Sequence, residues 1–148
     1  MDGVVIQPIV TGGVETMIGI TDDPMFGSLV AFGLGGVDVE VLGDVRFKGA
    51  PLTDRDADDL LREIRGFRLL EGYGGHPPAD LESLRELLLR VARLAEEVPE
   101  IVELDLNPVI ALPPDRDIGL SDCRRANSSR TAPPPVHHRR GRYPQNWA

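Results

Sequence analysis

The segment Ile-Val-Glu-Leu-Asp-Leu-Asn-Pro over residues 101–108 carries an oxygen-bearing side chain at every second position. Side chains in a β-strand alternate between the two faces, so Glu103, Asp105 and Asn107 would share one face. Neighbours in this row would lie about 6–7 Å apart, because each residue advances a strand by about 3.3 Å. Carboxylate and amide oxygens on a rigid strand suit Mg²⁺. A half-buried strand with a solvated acidic face has the same pattern, so both interpretations remain open here.

A further carboxylate could join this row from the following strand. A proline-rich turn over 113–115 separates the predicted strand 109–112 from a short possible strand over 118–122. A hairpin at this turn would return Asp122 towards Asn107, so that both side chains could converge on one cation. An aspartate that caps a turn at the end of a strand is the alternative interpretation.

The stretch Gly33-Leu-Gly-Gly36 stands between two predicted strands. Glycines allow backbone N–H groups to approach a phosphate closely. No helix begins at this stretch, so it is neither a dinucleotide-binding fingerprint nor a P-loop. On pattern alone, a tight connection between strands is a more common reason for such glycines than phosphate binding. Glu15 and Glu40 lie on the polar faces of predicted strands, where exposed carboxylates are common.

The chain offers few residues for nucleophilic or redox chemistry. Cys123 is the single cysteine, which excludes an internal disulfide and favours a reducing cytoplasm. His76 lies in a loop rich in glycine and proline, and the other two histidines lie near the carboxyl end. No serine or cysteine is placed with histidine in a pattern that predicts a catalytic triad or dyad.

The elements that must position these residues follow from hydrophobic periodicity and turn signals. Strands are predicted over 4–10, 14–20, 28–32, 37–42, 45–48, 101–107, 109–112 and 118–122. Thr53 predicts the start of a helix that ends at Gly66, and a second helix is predicted from about Asp80 to Val98. This order of elements predicts an α+β fold.

Composition limits the partners of the chain. The net charge of −8 over 148 residues argues against nucleic acid, which requires a basic surface. No apolar stretch is long enough to span a membrane and no secretory signal opens the chain, so we expect a cytoplasmic protein with no membrane partner.

The last 25 residues differ in composition from the rest. Residues 124–148 contain six arginines, no acidic residue and the run Pro133-Pro-Pro135. We expect this basic, proline-rich tail to be disordered, and an out-of-frame translation of a GC-rich gene is a second hypothesis for its origin. The folded domain is accordingly predicted to span residues 1–123.

Read together, several segments resemble the C-terminal part of the ATP-grasp domain of ADP-forming acyl-CoA synthetases. This acetate–CoA ligase family is related to succinyl-CoA synthetase β subunits and to ligase-like regions of protein acetyltransferases. The matching segments occur in family order over about residues 3–122: 6–10, 13–15, 23–27, 30–36, 39–42, 50–53, 69–72 and 103–108.

The resemblance implies a C-terminal ATP-grasp subdomain with a mostly antiparallel sheet and two helices. It also implies binding of Mg²⁺ and ATP or ADP, in a reaction that joins an acid and CoA through an acyl phosphate and a phosphohistidine. By position in the family pattern, the metal ligands would be Asp105, Asn107 and Asp122. The residues that would contact the nucleotide are Gln7, Glu15, Gly35, Gly36 and Glu40.

The departures from the family pattern limit this expectation. The resemblance implies that the N-terminal ATP-grasp subdomain and the CoA-binding and ligase parts, with the phosphohistidine, are supplied by another chain. Lys48 stands where an arginine is usual, and Gly43, Gly74 and His76 replace residues that are often basic. We therefore expect the chain to be incomplete as an enzyme, and a non-catalytic interaction or regulatory module is the alternative.

Overall fold

A computed structural model describes residues 9–36 and 43–116 in full, together with the backbone of residues 119–120 and 123–127. The strands are β1 (Val14–Asp23), β2 (Gly27–Leu34), β3 (Val45–Gly49), β4 (Ile101–Ala111), β5 (Gly119–Leu120) and β6 (Cys123–Asn127). The helices are α1 (Asp54–Arg62), the one-turn α2 (Phe67–Leu70) and α3 (Leu81–Glu97), and a 3₁₀ turn covers Tyr73–Gly75.

The six strands form one sheet in the order β3-β2-β1-β4-β5, and β6 also pairs with β4. Every pairing in this sheet is antiparallel. The predicted α+β fold, a mostly antiparallel sheet with two longer helices, is confirmed. None of the helices in the described ranges is long and apolar enough to cross a lipid bilayer.

The helices all cover the same face of the sheet. Apolar residues of β1, β2 and β4 form one buried cluster with residues of α1 and α3. The sheet contributes Ile18, Ile20, Phe32, Leu34, Leu104 and Leu106, and the helices contribute Leu60, Leu61, Leu84, Leu88 and Val91. The hydrophobic core is therefore a single layer between the sheet and the helices.

Hydrogen bonds fix the helices at their ends. The Thr53 hydroxyl accepts a hydrogen bond from the Asp56 amide, and the Asp56 carboxylate accepts one from the Thr53 amide, which confirms Thr53 as the N-cap of α1. The Asp80 carboxylate caps α3, and the Asp80 amide donates to the Leu112 carbonyl at 2.8 Å. The start of α3 is thereby attached to the residue that follows β4.

Two predicted boundaries are wrong. The helix expected to end at Gly66 ends at Arg62, and the buried Asp44 carboxylate accepts the amides of Arg65 and Gly66 beyond it. The break expected after Ile20 does not occur, because β1 remains paired with β2 as far as Asp23. The helix is shorter than predicted because the Asp44 carboxylate accepts the amides that follow it. The strand β1 is longer than predicted because its pairing with β2 continues to Asp23.

The ends of the chain are described only in part. The strand predicted over 4–10 lies outside the described residues except for Ile9 and Val10, which have no regular structure. The strand predicted over 37–42 also lies outside them. At the other end, β6 extends the sheet to Asn127, four residues beyond the predicted domain end at 123, and residues 128–148 lie outside the described part.

Candidate functional site

One face of the sheet faces away from the helices. Ile18 and Ile20 enter the core, so Gly19 faces the opposite side, and its paired residue Asp105 faces that side with it. On β2 the same alternation places Ala31 and Gly33 there. Within the described ranges no helix packs on this side, and we call it the helix-free face. Gly19, Ala31 and Gly33 are small, and the larger side chains of Met17 and Phe47 lie beside them on the same face.

The acidic row of β4 lies on the helix-free face. Leu104 and Leu106 are buried in the core, whereas Glu103 is exposed and Asp105 and Asn107 are half-buried. This confirms the predicted alternation over the chemically important part of the strand. The alternation differs from the prediction at the start of β4, where Ile101 is buried and Val102 is half-buried. The pairing of β4 with β6 is irregular at this point.

A β-bulge interrupts β4 directly after this row. Thr16 of β1 pairs with Val109 and Ile18 pairs with Leu106, so the two residues Asn107 and Pro108 oppose a single residue of β1. The peptide bond between Asn107 and Pro108 is cis. The separate strands predicted over 101–107 and 109–112 are therefore one strand with a bulge. The extra residue explains why Val109, three positions after Leu106, is also buried.

The structure brings together three of the residues predicted to contact nucleotide. The Gly35 amide donates to the Glu15 carbonyl at 2.7 Å. Gly36 has a φ of +71°, and a β-carbon at this position would lie 2.5 Å from a carboxylate oxygen of Glu15. We call Glu15, Gly35 and Gly36 the Glu–Gly cluster. It occupies the end of the sheet at which β1 begins and β2 ends.

Packing alone accounts for Gly35. A β-carbon on Gly35 would lie 3.0 Å from the backbone nitrogen and oxygen of Thr16, so a side chain there would crowd the neighbouring strand. Gly36 is exposed and its positive φ favours glycine. The glycine pattern is thus explained in part by the close approach of the two chain segments.

The Glu–Gly cluster and the acidic row lie at different positions along the same strands. Glu15 pairs with Ile110 and Gly19 pairs with Asp105. Four residues of strand separate these pairs, which corresponds to about 13 Å. Glu15 and Asp105 are too far apart to share one cation, and Asn107 lies between them along the strand.

The remaining predicted site residues, Gln7, Glu40 and Asp122, lie outside the described residues. The predicted return of the chain beside β4 is confirmed on both sides of position 122, because Leu120 pairs with Val109 and Cys123 pairs with Leu106. Among the side chains that the structure describes, no three from histidine, cysteine, aspartate and glutamate are arranged to hold a metal ion. Of the three residues predicted to bind the metal, the structure therefore describes Asp105 and Asn107.

Lys48 lies on the other side of the sheet from this site. It pairs with the core residue Val30, and its ammonium group lies 2.9 Å from Asp59 and 3.5 Å from Asp56 of α1. The hydrogen bond that the Lys48 ammonium donates to Asp59, with the nearby charge of both aspartates, raises the pKa of Lys48 above its ordinary value. Lys48 therefore connects β3 to α1 and does not face the acidic row.

The site residues predicted from the sequence do not include Thr16, which is buried beside the bulge. Its hydroxyl donates a hydrogen bond to the Val109 carbonyl at 2.8 Å. A signal was present in the sequence, since Thr16 falls in the same alternating row as Ile18 and Ile20. A polar side chain in an apolar row requires a partner when it is buried.

The chain is similar in sequence to proteins of a known family. The family described as "ATP-grasp domain" matches residues 1–120. The ADP-forming acetate–CoA ligase I of Archaeoglobus fulgidus is 48% identical over 109 residues, which cover 74% of this chain and 16% of that protein. The β subunit of ADP-forming acetate–CoA ligase I of Pyrococcus furiosus is 44% identical over 109 residues, which cover 74% of this chain and 47% of the subunit. The chain thus spans less than half the length of either relative.

Solved structures show the same arrangement of elements. The dinucleotide forming acetyl-coenzyme A synthetase 1 of Ca. Korarchaeum cryptofilum, solved with coenzyme A and Mg-AMPPCP, has a TM-score of 0.75 and 44% identity. The match covers 80% of this chain and 55% of that chain. ATP citrate lyase from Methanothrix soehngenii has a TM-score of 0.54 at 19% identity, which shows a shared fold alone.

Proposed function

The chain belongs to the ATP-grasp domain family of the ADP-forming acetate–CoA ligases, and from that premise we propose that it forms the C-terminal half of a Mg-nucleotide site. The parent activity would be that of an ADP-forming acyl-CoA synthetase, which converts an acid, CoA and ATP into acyl-CoA, ADP and phosphate. An acyl phosphate and a phosphohistidine would be the intermediates of that enzyme. The 148 residues alone would supply only the part of the site described above.

The placement of Asp105 and Asn107 is the observation that carries this proposal. Both lie on the helix-free face and are held by a strand whose opposite side is fixed in the core. Their oxygens are hard ligands of the kind that Mg²⁺ takes, usually with few protein ligands and several phosphate or water oxygens. The donor set therefore fits this metal, with Asp122 as the proposed third ligand. Bound there, Mg²⁺ would neutralise negative charge on the phosphates.

The Glu–Gly cluster would bind the nucleotide further along the same face. A carboxylate only accepts hydrogen bonds, so Glu15 suits a donor such as a ribose hydroxyl better than a phosphate. Gly36 is exposed next to the Glu15 carboxylate, so a ligand that bonds to Glu15 would also lie near its backbone. Gln7 and Glu40 are the other proposed nucleotide contacts. In this arrangement the residues of this chain bind and orient the nucleotide.

The partners follow from the proposed reaction. The relatives are much longer than this chain, and the Korarchaeum protein was solved with coenzyme A as well as Mg-AMPPCP. We propose that the N-terminal ATP-grasp subdomain and the CoA-binding and ligase parts complete the site. They would approach the helix-free face, because the other face is covered by α1 and α3.

Calorimetric titration of the full chain with ADP, with and without Mg²⁺, tests this proposal. We expect Mg²⁺-dependent binding that is lost in Asp105→Ala and in Asn107→Ala, because each change removes a ligand oxygen. Glu103→Ala is the matched control, since Glu103 belongs to the same row but is exposed. Thermal unfolding of each variant checks that the fold is retained.

Two results would contradict the proposal in different ways. If both ligand variants bind Mg-ADP as tightly as the wild type, the assignment of the metal ligands is wrong. If the wild type shows no Mg²⁺-dependent binding, the chain is better explained as a non-catalytic interaction or regulatory module that keeps the ATP-grasp fold.

A further inference from the structure

We infer that Thr16 is a positioning residue for the proposed metal site, acting on Asn107 through the bulge in β4. The expected effect on Mg-ADP binding rests on the proposed function, whereas the effect on the orientation of Asn107 can be tested separately. Thr16 has no exposed surface, and its hydroxyl donates to the Val109 carbonyl at 2.8 Å. The bond joins β1 to β4 immediately beyond the bulge.

The Thr16 bond lies where the backbone pairing of β1 with β4 is interrupted. Two residues of β4 oppose one residue of β1, so regular backbone pairing is interrupted. Pro108 has no N–H group and cannot donate to the neighbouring strand. The Thr16 hydroxyl supplies a buried side-chain donor to the first β4 residue after this interruption. Its removal would leave that carbonyl with one bond fewer inside the core.

The register of β4 against β1 on each side of the bulge determines how Asn107 is oriented, and the Thr16 bond supports that register. A shift of one residue in register moves every side chain of a strand to the opposite face. The pairing of Thr16 with Val109 fixes the register on one side of the bulge, and the pairing of Ile18 with Leu106 fixes it on the other. Asn107 lies between these two fixed pairs, so its orientation depends on both of them.

Thr16 cannot itself act as a ligand in this arrangement. It shares the core-facing row with Ile18, opposite to the face that carries Asp105. The backbone of Thr16 also packs against Gly35, where a β-carbon would lie 3.0 Å away. One buried residue therefore contacts both the strand that carries Asn107 and the Glu–Gly cluster, and it would act on the ligand only through them.

The test compares Thr16→Val, which keeps the shape and removes the hydroxyl, with Thr16→Ser, which keeps the hydroxyl. We expect Thr16→Val to weaken Mg-ADP binding by about 10-fold, the lower end of the range for loss of a group that supports a metal ligand, because Thr16 acts on Asn107 only through the backbone. Thr16→Ser should bind close to the wild type. Ile20→Val is the matched control, because it removes one methyl group from the same strand and face, away from the bulge. Equal weakening in Thr16→Val and Ile20→Val would overturn the inference.

A second measurement decides the inference without any ligand. The side-chain amide of Asn107 gives its own pair of signals in ¹⁵N nuclear magnetic resonance spectra. We expect Thr16→Val to shift or broaden these signals, and Thr16→Ser and Ile20→Val to leave them near the wild-type positions. Unchanged Asn107 signals in Thr16→Val would overturn the inference. Absence of Mg-ADP binding by the wild type would instead count against the proposed function and leave this measurement valid.

Discussion

Asp80 illustrates how one carboxylate can fix a helix at its start. It accepts hydrogen bonds from the Ser83 amide at 3.0 Å and from the Ser83 hydroxyl at 2.7 Å. These two bonds lower the pKa of Asp80 below its ordinary value of 3.8, and the bond from the Ser83 amide has the larger effect. Because the folded state favours the charged carboxylate, this group stabilises the fold above that value. The contribution is lost as the pH falls through the lowered pKa.

We therefore predict a pH-dependent cost for Asp80→Ala. At pH 7 the variant should lose about 1 kcal/mol of the free energy of unfolding, the usual cost of removing an N-cap. Well below pH 3.8 the difference should shrink, because the wild-type carboxyl is then protonated as well. Urea unfolding at both pH values measures the change, with the exposed Glu100→Ala as control. A cost that stays constant across this range would contradict the prediction.

At the scale of the elements, the contact between β1 and β4 depends on the chain entering β1 correctly. Gly12 and Gly13 both have positive φ, at +79° and +87°. A β-carbon on Gly13 would lie 2.8 Å from the Ala111 carbonyl and 2.9 Å from the Ile110 side chain. A β-carbon on Gly12 would meet nothing within 4 Å. The two glycines thus share a backbone conformation and differ in packing.

This difference gives a matched pair of variants. Gly12→Ala should cost about 1–2 kcal/mol of unfolding free energy, because an alanine is strained in the left-handed region. Gly13→Ala should cost about 1–3 kcal/mol more, because its β-carbon also overpacks against β4. Chemical denaturation of both variants measures the difference. Equal costs would show that the end of β4 moves to accept the methyl group.

The bulge in β4 also belongs to this scale. Without it, strict alternation would place Val109 on the opposite side from Leu106, yet both are buried. The extra residue lets β4 remain in the core along its whole length while Asn107 is presented to the helix-free face. A proline with no donor is tolerated at such a position, which is where the sequence places Pro108.

On the scale of the whole molecule, the two faces of the sheet have different roles. One face is closed by α1 and α3, and the other carries the acidic row and the Glu–Gly cluster. The relatives contain much more chain than these residues, so the helix-free face is where we expect the remaining parts of a synthetase to close over the nucleotide.

A graft tests this arrangement in an intact enzyme. We predict that the A. fulgidus ligase keeps ADP-forming activity when its matching 109-residue region is exchanged for that of this chain, because the two are 48% identical. Asn107→Ala in the graft should abolish most of the activity, whereas Glu103→Ala should not. Activity is measured as acetyl-CoA formation from acetate, CoA and ATP. A folded but inactive graft would show that this chain has lost the catalytic contribution.

Much of the fold could be predicted from local pattern. Periodicity and capping residues placed β2, β3, α3 and the start of α1 close to their observed bounds. The end of α1 could not be predicted, because it is set by the Asp44 carboxylate, which binds amides 21 and 22 residues away in the chain. The extension of β1 to Asp23 likewise depended on pairing with β2.

The sequence by itself determined that Glu103, Asp105 and Asn107 share a face, because strand periodicity is a local property of the backbone. Only the tertiary structure decided which face this is. It also joined the two predicted strands into β4, brought Gly35 and Gly36 to Glu15, and placed the Thr16 hydroxyl on the Val109 carbonyl. These features depend on register between segments far apart in the chain. Register is set when the whole sheet packs against its helices, and a local pattern contains no information about that packing.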